Sequence, residues 1–183
     1  MKQRSEEWFE VRKNRLTASD FAAACGWNKF KSRQKLWEQK TGKAEDEPIN
    51  QDMQRGIDLE QSGIDALEVE TGLIAEQIGF KIHDDYDWLG ASPDGIIGDE
   101  YVIEIKSPRV IHQTVPDYYV PQIQGQMEIC NVDKCYFVSI NEDGHNIILI
   151  NRDKDYWSNM FPLLEEFWQY VKTNTKPPYR RKK

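Results

Sequence analysis

The stretch Ser92-Pro93-Asp94-Gly95-Ile96-Ile97-Gly98-Asp99-Glu100-Tyr101-Val102-Ile103-Glu104-Ile105-Lys106 decides how this chain is read. It holds strand-forming residues bounded by Gly, Asp and Pro, and it predicts a hairpin. Side chains alternate along a strand, so Glu104 and Lys106 share one face while Ile103 and Ile105 point to the other. The isoleucines supply the core contact, and the two charged groups are projected together. Asp94 is expected at the turn-proximal end of the adjoining strand, where a hairpin brings its carboxylate beside that of Glu104. Two such carboxylates raise each other's pKa unless a cation lies between them. Oxygen ligands with positions left for water suit Mg²⁺, with Mn²⁺ as a substitute. An E-x-K tripeptide alone is weak, since most are solvated strand faces; Pro-Asp upstream at hairpin spacing strengthens it.

Working outward, the first half reads as helices. Ser5 caps a helix reaching about Lys13, and Thr17 with Asp20 resembles a capping box opening a helix that stops at Gly26. Ser32 and Gly42 bracket another, and Asn50 and Gly72 a longer one. From Leu73 the periodicity changes, and 73–83, 86–91 and 101–106 read as strands. A helix over 118–130, strands near 134–140 and 145–151, and a final helix over 155–172 follow. The expectation is an α/β (α+β) fold with one central mixed sheet flanked by helices.

Two helices carry further candidates. Met53, Ile57, Ile64 and Leu67 follow the spacing of a buried stripe, and Glu60 falls inside it. A buried carboxylate needs a metal, a metal-bound water or a cation as partner. Glu60 either completes an acidic cluster with Asp94 and Glu104 or sits at the wet edge of the stripe. Gln122 and Gln126 share one face of the helix over 118–130, opposite Ile123, Met127 and Cys130. Spacing alone slightly favours a solvent face for the two glutamines.

Composition bounds the rest. The 183 residues, 39% hydrophobic and 11% aromatic, suit one packed domain, placed at 1–175 with a basic tail at 176–183. Cys25, Cys130 and Cys135 lack C-x-x-C spacing, which predicts reduced thiols and disfavours a four-cysteine iron–sulfur nuclease. The net charge of −7 argues against a general nucleic-acid binder. Its spread is uneven, however, with a basic segment of Lys29, Lys31, Arg33, Lys35, Lys40 and Lys43 and acidic residues concentrated between Glu45 and Asp87. No run is apolar enough to cross a bilayer and the first residues do not form a signal peptide, so a cytoplasmic protein is expected, in a bacterial or phage-infected cell. His83, His112 and His145 have no metal-motif spacing, and no G-x-S-x-G or Gly-rich phosphate loop is present.

The ordered series Trp8, Arg12 and Leu16-Thr17-Ala18-Ser19; Gly56-x-x-x-Glu60; Ser92-Pro93-Asp94-Gly95; Glu104-Ile105-Lys106; and Tyr119-x-x-Gln122-x-Gln124 resembles the lambda exonuclease (YqaJ-like) viral recombinase nucleases. These belong to the PD-(D/E)xK superfamily, and the resemblance runs from about Trp8 to Ser139. It implies that Asp94, Glu104 and the Ile105 backbone carbonyl bind the catalytic metal, with Glu60 close by or ligating a second one. It implies that Lys106 positions and helps deprotonate the attacking water, with Gln122 beside it. Arg12, Ser19 and Ser92 would hold the 5′-terminal phosphate, although Thr17 and Ser19 also suit simple helix capping. The implied enzyme digests linear duplex DNA 5′→3′, leaving 3′ single strands for annealing. By the same resemblance it works as a ring-shaped homotrimer with a single-strand annealing protein.

Two departures qualify this: the chain is short for the family, and Pro121 suggests that the helix begins late or kinks. A restriction- or repair-type endonuclease and a non-catalytic DNA-end-binding module are the alternatives. The intact Asp94, Glu104 and Lys106 speak against the second.

Overall fold

Helix starts in this chain are set by side chains that accept the first free N–H groups. Ser5, Ser32, Asn50 and Asp153 each do so, and they open α1 (Glu6–Lys13), α3 (Arg33–Lys40), α4 (Gln51–Thr71) and α6 (Lys154–Lys172). Each such cap is worth about 1 kcal/mol. Gly72, at φ 70°, ends α4 in the left-handed conformation. The computed structural model describes residues 3–45, 48 and 50–180, so residues 181–183 of the basic tail lie outside the described residues. The described part of that tail bonds back to the fold through Arg180–Glu166 and Lys176–Glu38 ion pairs.

The central sheet has the order β4 (Gly95–Ile97), β5 (Tyr101–Lys106), β6 (Lys134–Asn141), β7 (Gly144–Asn151). β5 and β6 run parallel while both outer pairs are antiparallel, so the sheet is mixed. A parallel pair needs a crossover, and α5 (Val120–Cys130) supplies it. β5 is buried on both faces. Ile103 and Ile105 pack with Leu67 of α4 and Val138. Val102, on the other face, packs with Ile123 and Met127 of α5 and with Phe137. Both helices approach closely through glycine: a Cβ on Gly63 would fall 2.9 Å from the Ile105 side chain, and one on Gly125 2.4 Å from the Phe21 ring. A second core joins α2 (Phe21–Ala24), α3 and α6 to a small sheet of order β1 (Leu16–Thr17), β3 (Leu89–Ala91), β2 (Lys81–Ile82).

Helices flanking a mixed central sheet are thus the observed architecture, with several local departures. The small sheet is separate from the central one. Residues 73–83 give only the short β2 and a bridge from Glu76 to Ile96, because β3 offers just three residues to pair with. The capping box is not formed. Thr17 makes no side-chain cap, donating instead to the Asp20 carboxylate at 3.0 Å, and a 3₁₀ turn over Ala18–Asp20 precedes α2. Pro121 neither delays nor kinks α5, since it occupies the first turn, where no N–H is required. Asp94 lies at the end of the hairpin away from its turn, its N–H donating to the Ile103 carbonyl.

Candidate active site

The N-terminal helix, β3, β5 and α5 converge on a cleft of about 180 Å³ lined by Trp8, Arg12, Ser19, Ser92, Asp94, Glu104, Lys106 and Gln122. β5 places Glu104 and Lys106 on the face toward α5, opposite the buried isoleucines, as strand alternation predicts. Glu104 is only 2% exposed, and a buried charge of this kind is tolerated only when paired and hydrogen-bonded. It is paired with Lys106, and its two carboxylate oxygens accept N–H bonds from Gln122 and Gln126, each at 2.6 Å. The solvent-face expectation for the glutamines is therefore overturned: one turn of helix spaces them to grip both oxygens of one carboxylate. Gln126 is buried, and its own Oε1 has no partner among the described residues.

Asp94 reaches the same place from the start of β4. Its Oδ2 accepts the Ile105 N–H at 2.6 Å, which fixes the carboxylate against β5. Burial and then the Glu104 charge push its pKa well above the usual carboxylate range, and neither Lys106 nor the backbone bond cancels this. Lys106 shows the opposite balance. Burial alone would lower its pKa, but Glu104 and Asp94 outweigh that and hold the ammonium charged above its ordinary value. Its Nζ also lies 4.9 Å over the Tyr119 ring.

Two carboxylates that repel, in a cleft with few other acids, form a donor set that suits a hard divalent cation. Among the described residues no three His, Cys, Asp or Glu side chains gather as a metal cage. A hard divalent ion held by so few protein oxygens would keep its other positions for water. Glu60 is near enough for its charge to add to the upward push on Asp94, although less than Glu104 does. It is ion-paired with Arg4, a cation that nothing in the sequence spacing pointed to, and its side chain is 23% exposed. Met53 of the supposed stripe is 47% exposed, so this side of α4 is wetter than its periodicity suggests.

The remaining candidates form one edge of the cleft. The Arg12 guanidinium stacks 4.1 Å from the Trp8 ring and lies 3.4 Å from Ser19 Oγ. The Trp8 indole N–H donates to Ser92 Oγ at 2.8 Å, which leaves the Ser92 hydroxyl proton to be given elsewhere. Arg12, Ser19 and Ser92, far apart in sequence, are therefore brought together. Of the basic segment, Arg33 is drawn fully inside and Lys40 is bound to Asp20, so neither is presented to a ligand. The three cysteines are free thiols.

A family model, the YqaJ-like viral recombinase domain, matches residues 7–133. The chain is 24% identical over 179 residues to the uncharacterised protein YqaJ of Bacillus subtilis, covering 89% of this chain and 55% of that protein. It is 24% identical over 164 residues to the uncharacterised protein R354 of Acanthamoeba polyphaga mimivirus, covering 79% of this chain and 30% of the relative. The chain thus spans about half, or less, of the length of these curated relatives. Among solved structures, an alkaline exonuclease (LHK-Exo) from Laribacter hongkongensis superposes with a TM-score of 0.80 at 29% identity, covering 93% of this chain and 94% of that one. The same enzyme in complex with dAMP gives a TM-score of 0.82 at 28% identity, with the same coverage. A phage-related exonuclease from Haemophilus somnus shares the fold at 14% identity, with a TM-score of 0.70 over 87% of this chain and 94% of that one.

Proposed function

The chain belongs to the YqaJ-like viral recombinase domain family, and from that premise we propose that it is a metal-dependent DNA exonuclease. Its substrate is linear duplex DNA, hydrolysed 5′→3′ from a phosphorylated end to leave a 3′ single strand for recombination by annealing. One observation carries the reading: an Asp94–Glu104–Lys106 centre, with Glu104 buried, shares a single cleft with Arg12, Ser19 and Ser92, an apt phosphate-binding set.

In this reading Asp94, Glu104 and the Ile105 carbonyl hold Mg²⁺, or Mn²⁺ in its place, with Glu60 nearby. The ion would polarise the phosphoryl oxygen and lower the pKa of a bound water. Gln122 and Gln126 keep Glu104 oriented without adding charge. Lys106, beside Glu104, would position and help deprotonate the attacking water and offset the negative charge of the pentacovalent state. Trp8 holds Arg12 by stacking and turns the Ser92 hydroxyl outward, so that both are aimed at one terminal phosphate. No helix among the described residues is long and apolar enough to cross a membrane. Action in the cytoplasm, as a homotrimer encircling DNA and beside a single-strand annealing protein, completes the proposal.

The test is digestion of linear duplex DNA bearing a 5′-phosphate or a 5′-hydroxyl, in Mg²⁺ or in EDTA. Hydrolysis should need the metal, favour the phosphate and vanish in Lys106→Ala while the circular dichroism spectrum is kept. Full activity in that variant would remove the assigned centre. Equal cutting of covalently closed circles would turn the reading to an endonuclease.

A further inference from the structure

Beside the cleft a train of aromatic rings runs from the catalytic lysine out to solvent. Tyr119 lies under Lys106, with Nζ 4.9 Å from its centroid, and meets Tyr118 at 4.4 Å. Tyr118 in turn meets Phe30 edge to face at 5.4 Å. Phe30 is 74% exposed. Exposure of one ring is ordinary in itself, but this ring is exposed beside a cation and at the end of a chain of rings that starts at Lys106. The ring is also held on an ordered turn, because Asn28 Oδ1 accepts the N–H groups of Phe30 and Lys31 at 2.7 and 3.1 Å. Lys29, itself exposed, places its ammonium 4.8 Å from the centroids of both Phe30 and Tyr118.

An exposed ring and a half-buried one sharing a cation are the chemistry that takes up unpaired bases on a phosphate chain, a base stacking on the accessible ring surface and the lysine meeting the backbone. A purely apolar partner would gain nothing from the lysine, and paired bases inside a duplex offer no free face to stack. We propose that Phe30 and Tyr118, with Lys29, form a stacking platform for the bases of the unpaired DNA strand at the mouth of the active cleft. The platform rests on the nuclease reading above for the identity of that strand. It gives the strand a continuous path from Lys106 to the surface, and it grips bases without reading their order.

Fluorescence anisotropy tests this with a labelled oligothymidylate of about ten nucleotides, an abasic chain of the same length and a blunt duplex, all in EDTA so that nothing is cut. Phe30→Ala should weaken oligothymidylate binding by about tenfold and leave the abasic chain unchanged, and Phe30→Trp should restore binding. An unchanged affinity, equal losses on the abasic chain, or a larger loss on the duplex would each overturn the platform. The wild-type protein is scored separately for digestion of linear duplex in Mg²⁺ and Mn²⁺. If it cuts DNA while binding ignores Phe30, the platform fails and the nuclease stands. If it binds through Phe30 but cuts nothing, the platform stands and the nuclease fails.

Discussion

Asp94 and Asp20 are both half-buried carboxylates within the same fold, and they are shifted in opposite directions. Asp20 sits among cations of its own chain, with Lys40 Nζ at 3.1 Å, Lys31 Nζ at 3.7 Å and the Thr17 hydroxyl at 3.0 Å. Burial raises its pKa, but Lys40 and Lys31 together outweigh that and hold it at about 2. Asp94 faces Glu104, and burial and that second charge drive it upward despite Lys106. The first site is electrostatically complete and the second is short of positive charge. A protein tolerates such a deficit where something from outside supplies the missing cation.

The strongest way to break this contrast is Asp94→Asn. The amide oxygen can still accept the Ile105 N–H, so the hairpin should survive. Turnover on linear duplex DNA should fall on the order of 10²–10³-fold. In EDTA the variant should be more stable than the wild type. A carboxyl whose folded pKa is raised opposes folding above that pKa, and the penalty fades as pH falls through it toward the unfolded value. Thermal melts should therefore show the metal-free wild type gaining on the variant as the buffer is acidified, and Mg²⁺ stabilising the wild type alone. Equal stabilisation of the variant by Mg²⁺ would mean that the ion binds elsewhere.

Asp20→Asn probes the complete site and should do the reverse. It leaves Lys40, 12% exposed at its side chain, without its carboxylate, and should cost on the order of 2–4 kcal/mol of stability. The wild-type contribution has its own pH signature. A depressed carboxyl stabilises fully above its unfolded value near 3.9 and loses that stability as pH falls toward about 2, a difference of roughly 2–3 kcal/mol. Chemical denaturation across that window should show the loss in the wild type and its absence in the variant. A flat profile in both would remove the ion pairs from the account.

The two aspartates also mark what could be read in advance. Glu104 and Lys106 were legible because strand alternation is a local signal, and Asp94 because a hairpin of this length returns to β5, although at the end away from the turn rather than beside it. Helix starts were legible as local signals too, since Ser5, Ser32 and Asn50 act within one turn. Gln126 was misplaced because the carboxylate it grips is 22 residues away, and helix spacing alone cannot tell a polar partner from water. Arg4 reaches Glu60 across 56 residues, beyond any spacing argument. Asp20 looked like a capping residue because its cations, Lys31 and Lys40, are brought to it only by the packing of α2 against α3. The division of the strands among the described residues into two sheets depends on pairing partners, which short strands do not announce.

Arg12 belongs to both regions and gives the smallest and sharpest test. It stacks on Trp8 at the phosphate edge of the cleft, and its charge is also the weakest of the influences that lower Asp20. Arg12→Ala should therefore reduce the preference for a 5′-phosphate over a 5′-hydroxyl by about tenfold, the worth of one charge-assisted hydrogen bond. It should leave cutting of the 5′-hydroxyl substrate nearly intact, because the Asp94–Glu104–Lys106 centre is untouched. Stability should change little, since Lys40 and Lys31 still hold Asp20. An unchanged end preference with a large loss of stability would place Arg12 with the structural cluster and return the terminal phosphate to Ser19 and Ser92 alone.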